Sequence, residues 1–341
     1  TYYLYSATKF VDSKFATSTK PFKEIGLDAK INKKSDKRRL VILVVGETAR
    51  SDHMSINGYD LKTNPYLEKE EIISFKKMTS CGTDTALSVP CMFSLLDRSN
   101  YNHAQGKNMS NVLDIISHAG VSVLWLDNNS SSKSVADRIT FKDYRSSDQN
   151  SICNPECRDE GMLVNLQSYI DEQDNRDVLI VLHSMGSHGP AYYKRYPEQF
   201  EVFLPVCRTN QLNECSDEEI SNAYDNTILY TDYFLSKVIG LLKNNSKESD
   251  TAMFYISDHG ESLGEGGLYL HGMPYFMAPD EQINIPAFMW FDEGLTKVFD
   301  IDAIKKNSEL AKSHDNLFHT LLGLMDIETE LYQKEMDIAT K

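Results

Sequence analysis

The sequence predicts an α/β protein with a mostly parallel central sheet flanked by helices. Three observations carry that expectation. Short, mainly apolar runs recur at Leu40–Val45, Val121–Leu126, Val178–Leu182, Ala252–Ile256 and Ile285–Phe291. Runs of this kind, without a polar alternate face, mark strands buried on both sides. Stretches with helical spacing lie between them, and strand–helix alternation favours parallel pairing through helical crossovers. No internal repeat or mid-chain linker breaks the pattern, so one domain over residues 39–341 is expected.

Residues 1–38 read as a lead-in. Tyr2, Tyr3 and Tyr5 precede a weakly periodic, Lys-rich stretch ending in Lys33-Lys34-Ser35-Asp36-Lys37-Arg38, expected as partly ordered coil or short helix. Leu40–Val45 is the first buried strand. Ser110 is expected to cap a helix over Asn111–His118, and Gly120 to end it. Ser216-Asp217-Glu218-Glu219 has the form of a capping box, followed at helical spacing by Ile220, Ala223, Tyr224, Thr227, Ile228, Thr231, Leu235, Val238 and Leu242. Ser313 is placed to cap a helix carrying Leu317, Leu321 and Leu324.

Composition excludes some functions. The 341 residues include 35 Lys+Arg against 50 Asp+Glu, a net charge of −15. That balance argues against a general nucleic-acid binder, which needs clustered cations to neutralise phosphates. No apolar run approaches the ~20 residues of a membrane-spanning helix. Cys81, Cys91, Cys153, Cys157, Cys207 and Cys215 fall into three local pairs. Sequence order alone does not prove that pairing. A zinc cluster is the alternative, but Cys153 and Cys157 form the only tight pair. Disulfides would place the chain in an oxidising compartment such as the periplasm or cell exterior.

In sheets of this type, ligands bind beyond the carboxyl ends of the strands, so the polar residues there are the candidates for chemistry. The first strand runs into Gly46-Glu47-Thr48-Ala49-Arg50, and Ala252–Ile256 runs into Ser257-Asp258-His259-Gly260-Glu261. Val178–Leu182 leads to His183 and His188, and His271 follows in Tyr269-Leu270-His271-Gly272. Carboxylates and imidazoles from several strand ends suit Zn²⁺ and, less well, Mn²⁺. His53 is ambiguous, lying near Glu47 in sequence. His118 and His319 read as surface or packing residues, and His314 as a capping residue at a helix start. The segment Thr83-Asp84-Thr85-Ala86 leads into a helical pattern, which puts Thr85 near a helix N-terminus favourable to phosphate. A threonine hydroxyl becomes a nucleophile when a metal lowers its pKa; the plainer role for Thr85 is an N-cap.

The motifs Gly46-Glu47-Thr48-Ala49-Arg50, Asn57-Gly58-Tyr59, Thr79-Ser80-Cys81-Gly82-Thr83, Ser88-Val89-Pro90-Cys91, Asp127-Asn128-Asn129, His188-Gly189-Pro190-Ala191-Tyr192 and Ser257-Asp258-His259-Gly260-Glu261-Ser262 occur in this order. Together they resemble the phosphoethanolamine–lipid A transferases, including the mobile colistin-resistance enzymes. The resemblance implies an alkaline-phosphatase/sulfatase-like fold. It also implies N-terminal transmembrane helices ahead of a periplasmic catalytic domain in the bacterial inner membrane. This chain is expected to be that domain alone, as a monomer, with residues 1–38 linking to the missing membrane part.

Carried over residue by residue, the resemblance makes Glu47, Thr85, Asp258 and His259 the ligands of one tight zinc, with Thr85 also the nucleophile. His188 and His271 match residues that bind phosphoethanolamine or a second zinc and serve catalysis. Thr83, Asn129, Ser130, Lys133 and Glu261 match substrate-pocket residues, Glu261 being suited to the ethanolamine ammonium. Cys81–Cys91 and Cys207–Cys215 match family disulfides, and Cys153–Cys157 fits a third with short spacing. The implied reaction takes phosphatidylethanolamine as donor and lipid A as acceptor, through a phosphoethanolamine–threonine intermediate. Its product would resist polymyxins such as colistin. Two alternatives remain: phosphoglycerol or phosphoethanolamine transfer to another envelope acceptor, and a catalytically silent binding domain. Sulfatase activity within the same superfamily is disfavoured, because Val89-Pro90-Cys91 lacks the Cys-x-Pro-x-Arg order and its Arg.

Overall fold

The computed structural model describes residues 21–33 and 35–339. Tyr2, Tyr3, Tyr5 and the rest of the lead-in through residue 20 lie outside the described residues, as does Lys34. Eight strands build the main sheet: β1 (Arg38–Gly46), β2 (Ile73–Thr79), β3 (Ser122–Asp127), β4 (Thr140–Asp143), β5 (Val178–His183), β6 (Ser249–Ser257), β7 (Asn284–Phe291) and β8 (Lys312–Ser313). Their spatial order is β8-β2-β7-β6-β1-β5-β3-β4. β1 pairs parallel with β5 and β6 at the centre, and β3 pairs parallel with β5 and β4. β7 runs antiparallel to both β6 and β2, so the sheet is mixed with a parallel centre.

The five apolar runs all form strands, Val121 alone falling one residue before β3, for the expected reason. Along β1, Val41, Leu43 and Val45 enter one core while Leu40, Ile42 and Val44 enter the other. Every one of these side chains is buried, and each contributes about 1.5–3 kcal/mol relative to exposure. The principal helices are α1 (Thr85–Met92), α2 (Val112–His118), α3 (Asp217–Asn245) and α4 (Leu317–Leu324). α1, α2 and α4 supply Val89, Ile116 and Leu321 to the first core. α3 covers the opposite face with Ile220, Ile228, Leu235 and Leu242.

The helix starts differ in detail from the expectation. α2 is capped by Asn111, whose Oδ1 accepts from Leu113 N at 2.9 Å, while Ser110 Oγ accepts from Ile25 N. An amide completes the capping box with Asp114, leaving Ser110 to tie down the lead-in. Ser216 forms its box with Glu219, as the sequence suggests. Ser313 caps a short 3-10 turn, His314–Asn316, that continues into α4. In the described part of the lead-in, Lys30–Ile31 pairs antiparallel with Ile327–Glu328, and Ile25 packs on the first core.

Three disulfides join Cys81–Cys91, Cys153–Cys157 and Cys207–Cys215. The first spans α1 and ties the loop before it to the helix's last turn. Among the described residues, no helix is long and apolar enough to cross a membrane.

Candidate active site

The carboxyl ends of β1, β3, β5 and β6 converge, and the chain beyond each delivers one or more polar side chains. Glu47 follows β1, Asn129 follows β3, His188 follows β5, and Asp258-His259 follows β6. Two glycines permit the close approach of these turns. A Cβ on Gly46 would lie 2.4 Å from the Tyr255 hydroxyl. Gly186 has φ +47° and packs against the Glu47 backbone, where a Cβ would come within 2.8 Å of its carbonyl oxygen. Ser187 N then donates to Glu47 O at 3.0 Å, fixing the β5 loop on the β1 loop.

Glu47, Asp258 and His259 are buried, and their ligand atoms all lie within 4.8 Å of one another. Thr85 is the first residue of α1. Asp84, not Thr85, is the N-cap, its side chain accepting from Leu87 N at 2.9 Å. The Thr85 hydroxyl is thereby free of capping duty. It lies 3.1 Å from Glu47 Oε2 and 3.4 Å from His259 Nε2.

Three features fit this group to a cation. Asp258 Oδ1 accepts from Thr48 N and His259 N, whereas its Oδ2 is buried without a hydrogen-bond partner. An orphaned carboxylate oxygen is costly to bury and is explained by an ion. His259 Nδ1 lies 2.8 Å from Gly260 O, which assigns its proton there and leaves Nε2 as a lone-pair donor facing the carboxylates. The charges also call for a cation. Burial lowers the His259 pKa, but the charge of Asp258 and the hydrogen bond and charge of Glu47 outweigh it and raise the imidazole. Burial, then the Glu47 charge, pushes Asp258 up. Burial also opposes ionisation of Glu47, but the hydrogen bond and charge of His259 hold it well below the usual range. A proton on His259 takes the place that Zn²⁺ would fill among these donors.

The surrounding residues fall into two sets. Asn129 is buried and commits its amide to protein, donating to Glu47 Oε2 at 2.6 Å and to Ser184 O at 2.9 Å. Glu261 is also buried, with Oε1 accepting from Tyr192 OH at 2.6 Å and Oε2 lying 2.7 Å from His271 Nδ1. Thr83 Oγ1 donates to Met273 O, linking the approach to α1 with the segment after His271. His271 lies 4.3 Å from His259 and 6.0 Å from His188, ring centre to ring centre. His188 Nδ1 is held 2.8 Å from Gly189 O. Ser130 and Lys133 lie farther along the β3 loop, where Lys133 Nζ donates to Ser130 Oγ at 2.7 Å. Lys133 borders a solvent-open cleft of about 750 Å³ that it shares with Ala86, the neighbour of Thr85.

Other histidines are placed elsewhere. His53 pairs with Asp225 at 2.6 Å, in a cluster with Tyr59. His183 is buried against Asp127 at 2.9 Å. His314 is a structural link rather than a cap. Its Nδ1 accepts from Cys81 N at 3.0 Å, and its Nε2 donates to Ser257 O at 2.9 Å. Ser88 Oγ completes the link by donating to Asp258 O. Ser88 and His314 thus lock α1 to the end of β6, so Thr85 faces Asp258-His259. A lone histidine at a helix start carries no sequence signal for that role.

A mixed sheet with this cluster at its parallel carboxyl edge defines an α/β domain of the alkaline-phosphatase and sulfatase type. Comparison with known proteins makes the class specific. The Sulfatase family matches residues 39–327. The soluble domain of lipooligosaccharide phosphoethanolamine transferase A from Neisseria meningitidis superposes with a TM-score of 0.91 at 41% identity, covering 94% of this chain and 98% of that one. The integral membrane form of that protein gives 0.91 at 40% identity, covering 98% of this chain and 63% of its own. Phosphatidylethanolamine transferase Mcr-1 from Escherichia coli is 46% identical over 341 aligned positions, 96% of this chain and 62% of the relative. The chain spans about three fifths of the curated relatives it matches. It belongs to the sulfatase family and, within it, to the phosphoethanolamine transferases.

Proposed function

We propose that this chain is the catalytic domain of a zinc-dependent enzyme that moves phosphoethanolamine from phosphatidylethanolamine to lipid A. The observation that carries this reading is the Thr85 hydroxyl, uncommitted to capping, beside Glu47 and His259 in a buried donor set that includes the orphaned Asp258 Oδ2. Mcr-1 is named as a phosphatidylethanolamine transferase, which supports the donor.

Glu47, Thr85, Asp258 and His259 would hold the zinc, which when bound lowers the pKa of the hydroxyl and offsets charge on the phosphoryl oxygens. The remaining work falls to the chain itself. Thr85 Oγ attacks phosphorus, the bond to the diacylglycerol oxygen breaks, and phosphoethanolamine is left esterified to Thr85. His271, its Nδ1–H held by Glu261, takes the hydroxyl proton of Thr85 on Nε2 as the attack begins and gives it to the departing oxygen. A lipid A phosphate hydroxyl then attacks the same phosphorus, its proton passing to His271 Nε2 and from there to Thr85 Oγ as that oxygen leaves. α1 directs its N-terminal N–H groups at the phosphoryl oxygens during both steps. Asn129 orients Glu47, while His188, Ser130 and Lys133 flank the entry to the site.

The alternative role for His188 and His271, a second zinc, is separated by metal content per chain. The product gains an ammonium group, which reduces the attraction of lipid A for cationic polymyxins. Three disulfides accord with a periplasmic domain, and the integral membrane relative with anchoring in the inner membrane. The test is intact-mass spectrometry after incubation with phosphatidylethanolamine, then lipid A. A phosphoethanolamine adduct on Thr85 that disappears as lipid A gains the group is expected. An adduct that persists in Thr85→Ala overturns the nucleophile.

A further inference from the structure

Phe276 and Met277 are 87% and 60% exposed, and Phe276 is the most exposed large apolar side chain among the described residues. They sit on a hydrogen-bonded turn, where Met277 N donates to Pro274 O at 2.8 Å. The base of the loop is anchored to the active-site segment. Gly272 N donates to Thr83 O at 2.8 Å, and Tyr275 OH donates to Ser80 O at 3.0 Å. The Arg98 guanidinium stacks 4.0 Å over the Tyr275 ring. On the return side, Glu261 N donates to Glu281 O at 2.8 Å. A loop held at both ends that still presents Phe and Met to water presents them to something else. Leu268 and Leu87, both partly exposed, lie close in sequence to His271 and Thr85.

We infer that this turn dips into a phospholipid bilayer and seats the active-site mouth against the membrane surface. The inference rests on reading the donor as a membrane phospholipid. The donor phosphodiester lies at the bilayer surface, with its acyl chains below. Phe276 is five residues beyond His271, a reach of at most about 17 Å. An apolar element enters the headgroup–acyl boundary by roughly 5–10 Å. The tip therefore meets acyl chains while His271 stays at headgroup level. The net charge of −15 gives the chain no general attraction for an anionic surface, so the contact is apolar and persists at high salt.

The experiment places a tryptophan at the tip. The two native tryptophans, Trp125 and Trp290, are buried and give a low background. Phe276→Trp, and separately Met277→Trp, are titrated with vesicles of phosphatidylethanolamine and phosphatidylcholine whose acyl chains carry bromine. Leu204→Trp, at another exposed apolar site, is the comparison. Blue-shifted, quenched emission at the tip alone, unchanged by salt, is expected. Phe276→Ser with Met277→Ser should weaken vesicle partitioning of the chain by at least about tenfold. Absence of quenching at both tip positions, or equal quenching at Leu204→Trp, overturns the inference. So does a lipid-independent blue shift that grows with protein concentration, which would assign the turn to a second copy of the chain. Formation of the Thr85 adduct from a soluble short-chain donor reports the functional reading separately. An adduct without tip quenching removes only the membrane contact, and quenching without an adduct removes only the transferase reading.

Discussion

The floor and the rim of the active site are built on different principles. On the floor, Glu47, Asp258 and His259 are buried at the ends of β1 and β6, and Thr85 is held at the start of α1. Each makes short contacts with another floor residue or with backbone that hydrogen-bonds across strands. On the rim, His188, His271 and Lys133 are partly exposed and sit on loops; the two imidazole rings lie 6.0 Å apart, and Lys133 Nζ bonds to Ser130 within its own loop. The floor is rigid because the sheet sets its geometry before any ligand arrives. The rim can shift as a donor is exchanged for an acceptor. The proposed two-step transfer would need both: one fixed nucleophile and an entrance that accepts two substrates in turn.

The largest expected effect tests the floor directly. Thr85→Ala should fold normally and lower headgroup transfer by at least about 10³-fold, because no neighbouring hydroxyl occupies the same position. Serial transfer assays with lipid A measure this, and near-wild-type turnover would dissolve the distinction between floor and rim. Next, Glu47→Gln should weaken zinc binding by at least about a hundredfold, read by competition with a chelating dye. His188→Ala should leave that affinity within a few-fold of the wild type. Equal losses in the two variants would mean that the rim is part of the primary metal site.

The floor was legible in the sequence and much of its support was not, for a physical reason. Glu47 and Asp258-His259 follow apolar runs, so the strand pattern alone puts them at one sheet edge. Thr85 was readable as near a helix start, but its freedom from capping depends on Asp84, which only the fold displays. β4 is largely exposed, and β2 mixes buried Phe75 with exposed Lys76-Lys77, so neither carries a clean period. The antiparallel course of β7 is likewise invisible in a run buried on both faces. Ser88 and His314 are separated by more than 200 residues, and nothing local in either segment announces the other. Glu261, buried beneath the rim, is the instructive case: the resemblance suggests an ammonium contact, yet both its oxygens are engaged by Tyr192 and His271.

The lock beneath the floor has a pH signature. Burial lowers the His314 pKa to about 4 from an ordinary 6.5. The folded state therefore holds this imidazole neutral where the unfolded chain takes up a proton. Its stabilising contribution is complete above the unfolded value and is lost as pH falls from about 6.5 toward about 4, by roughly 3 kcal/mol at most. Urea unfolding of the wild type and His314→Gln across that window measures the difference. A wild-type curve no steeper than the variant's would show that His314 is not the titrating lock.

The smallest effect in activity decides how the rim works. Glu261→Gln removes a charge but keeps a group of the same shape between Tyr192 and His271. If Glu261 positions His271, the amide can donate to Nδ1 and move the imidazole proton to Nε2, the wrong tautomer for the resting state. The turnover number should then fall about tenfold to a hundredfold with little change in KM for phosphatidylethanolamine. A carboxylate that instead holds the ethanolamine ammonium predicts the opposite split, with KM rising and turnover largely kept. The buried position of Glu261, with no oxygen free, favours the first outcome. In that case the rim orients its proton-transfer residue as the floor orients His259: an imidazole whose direction is set by a buried partner.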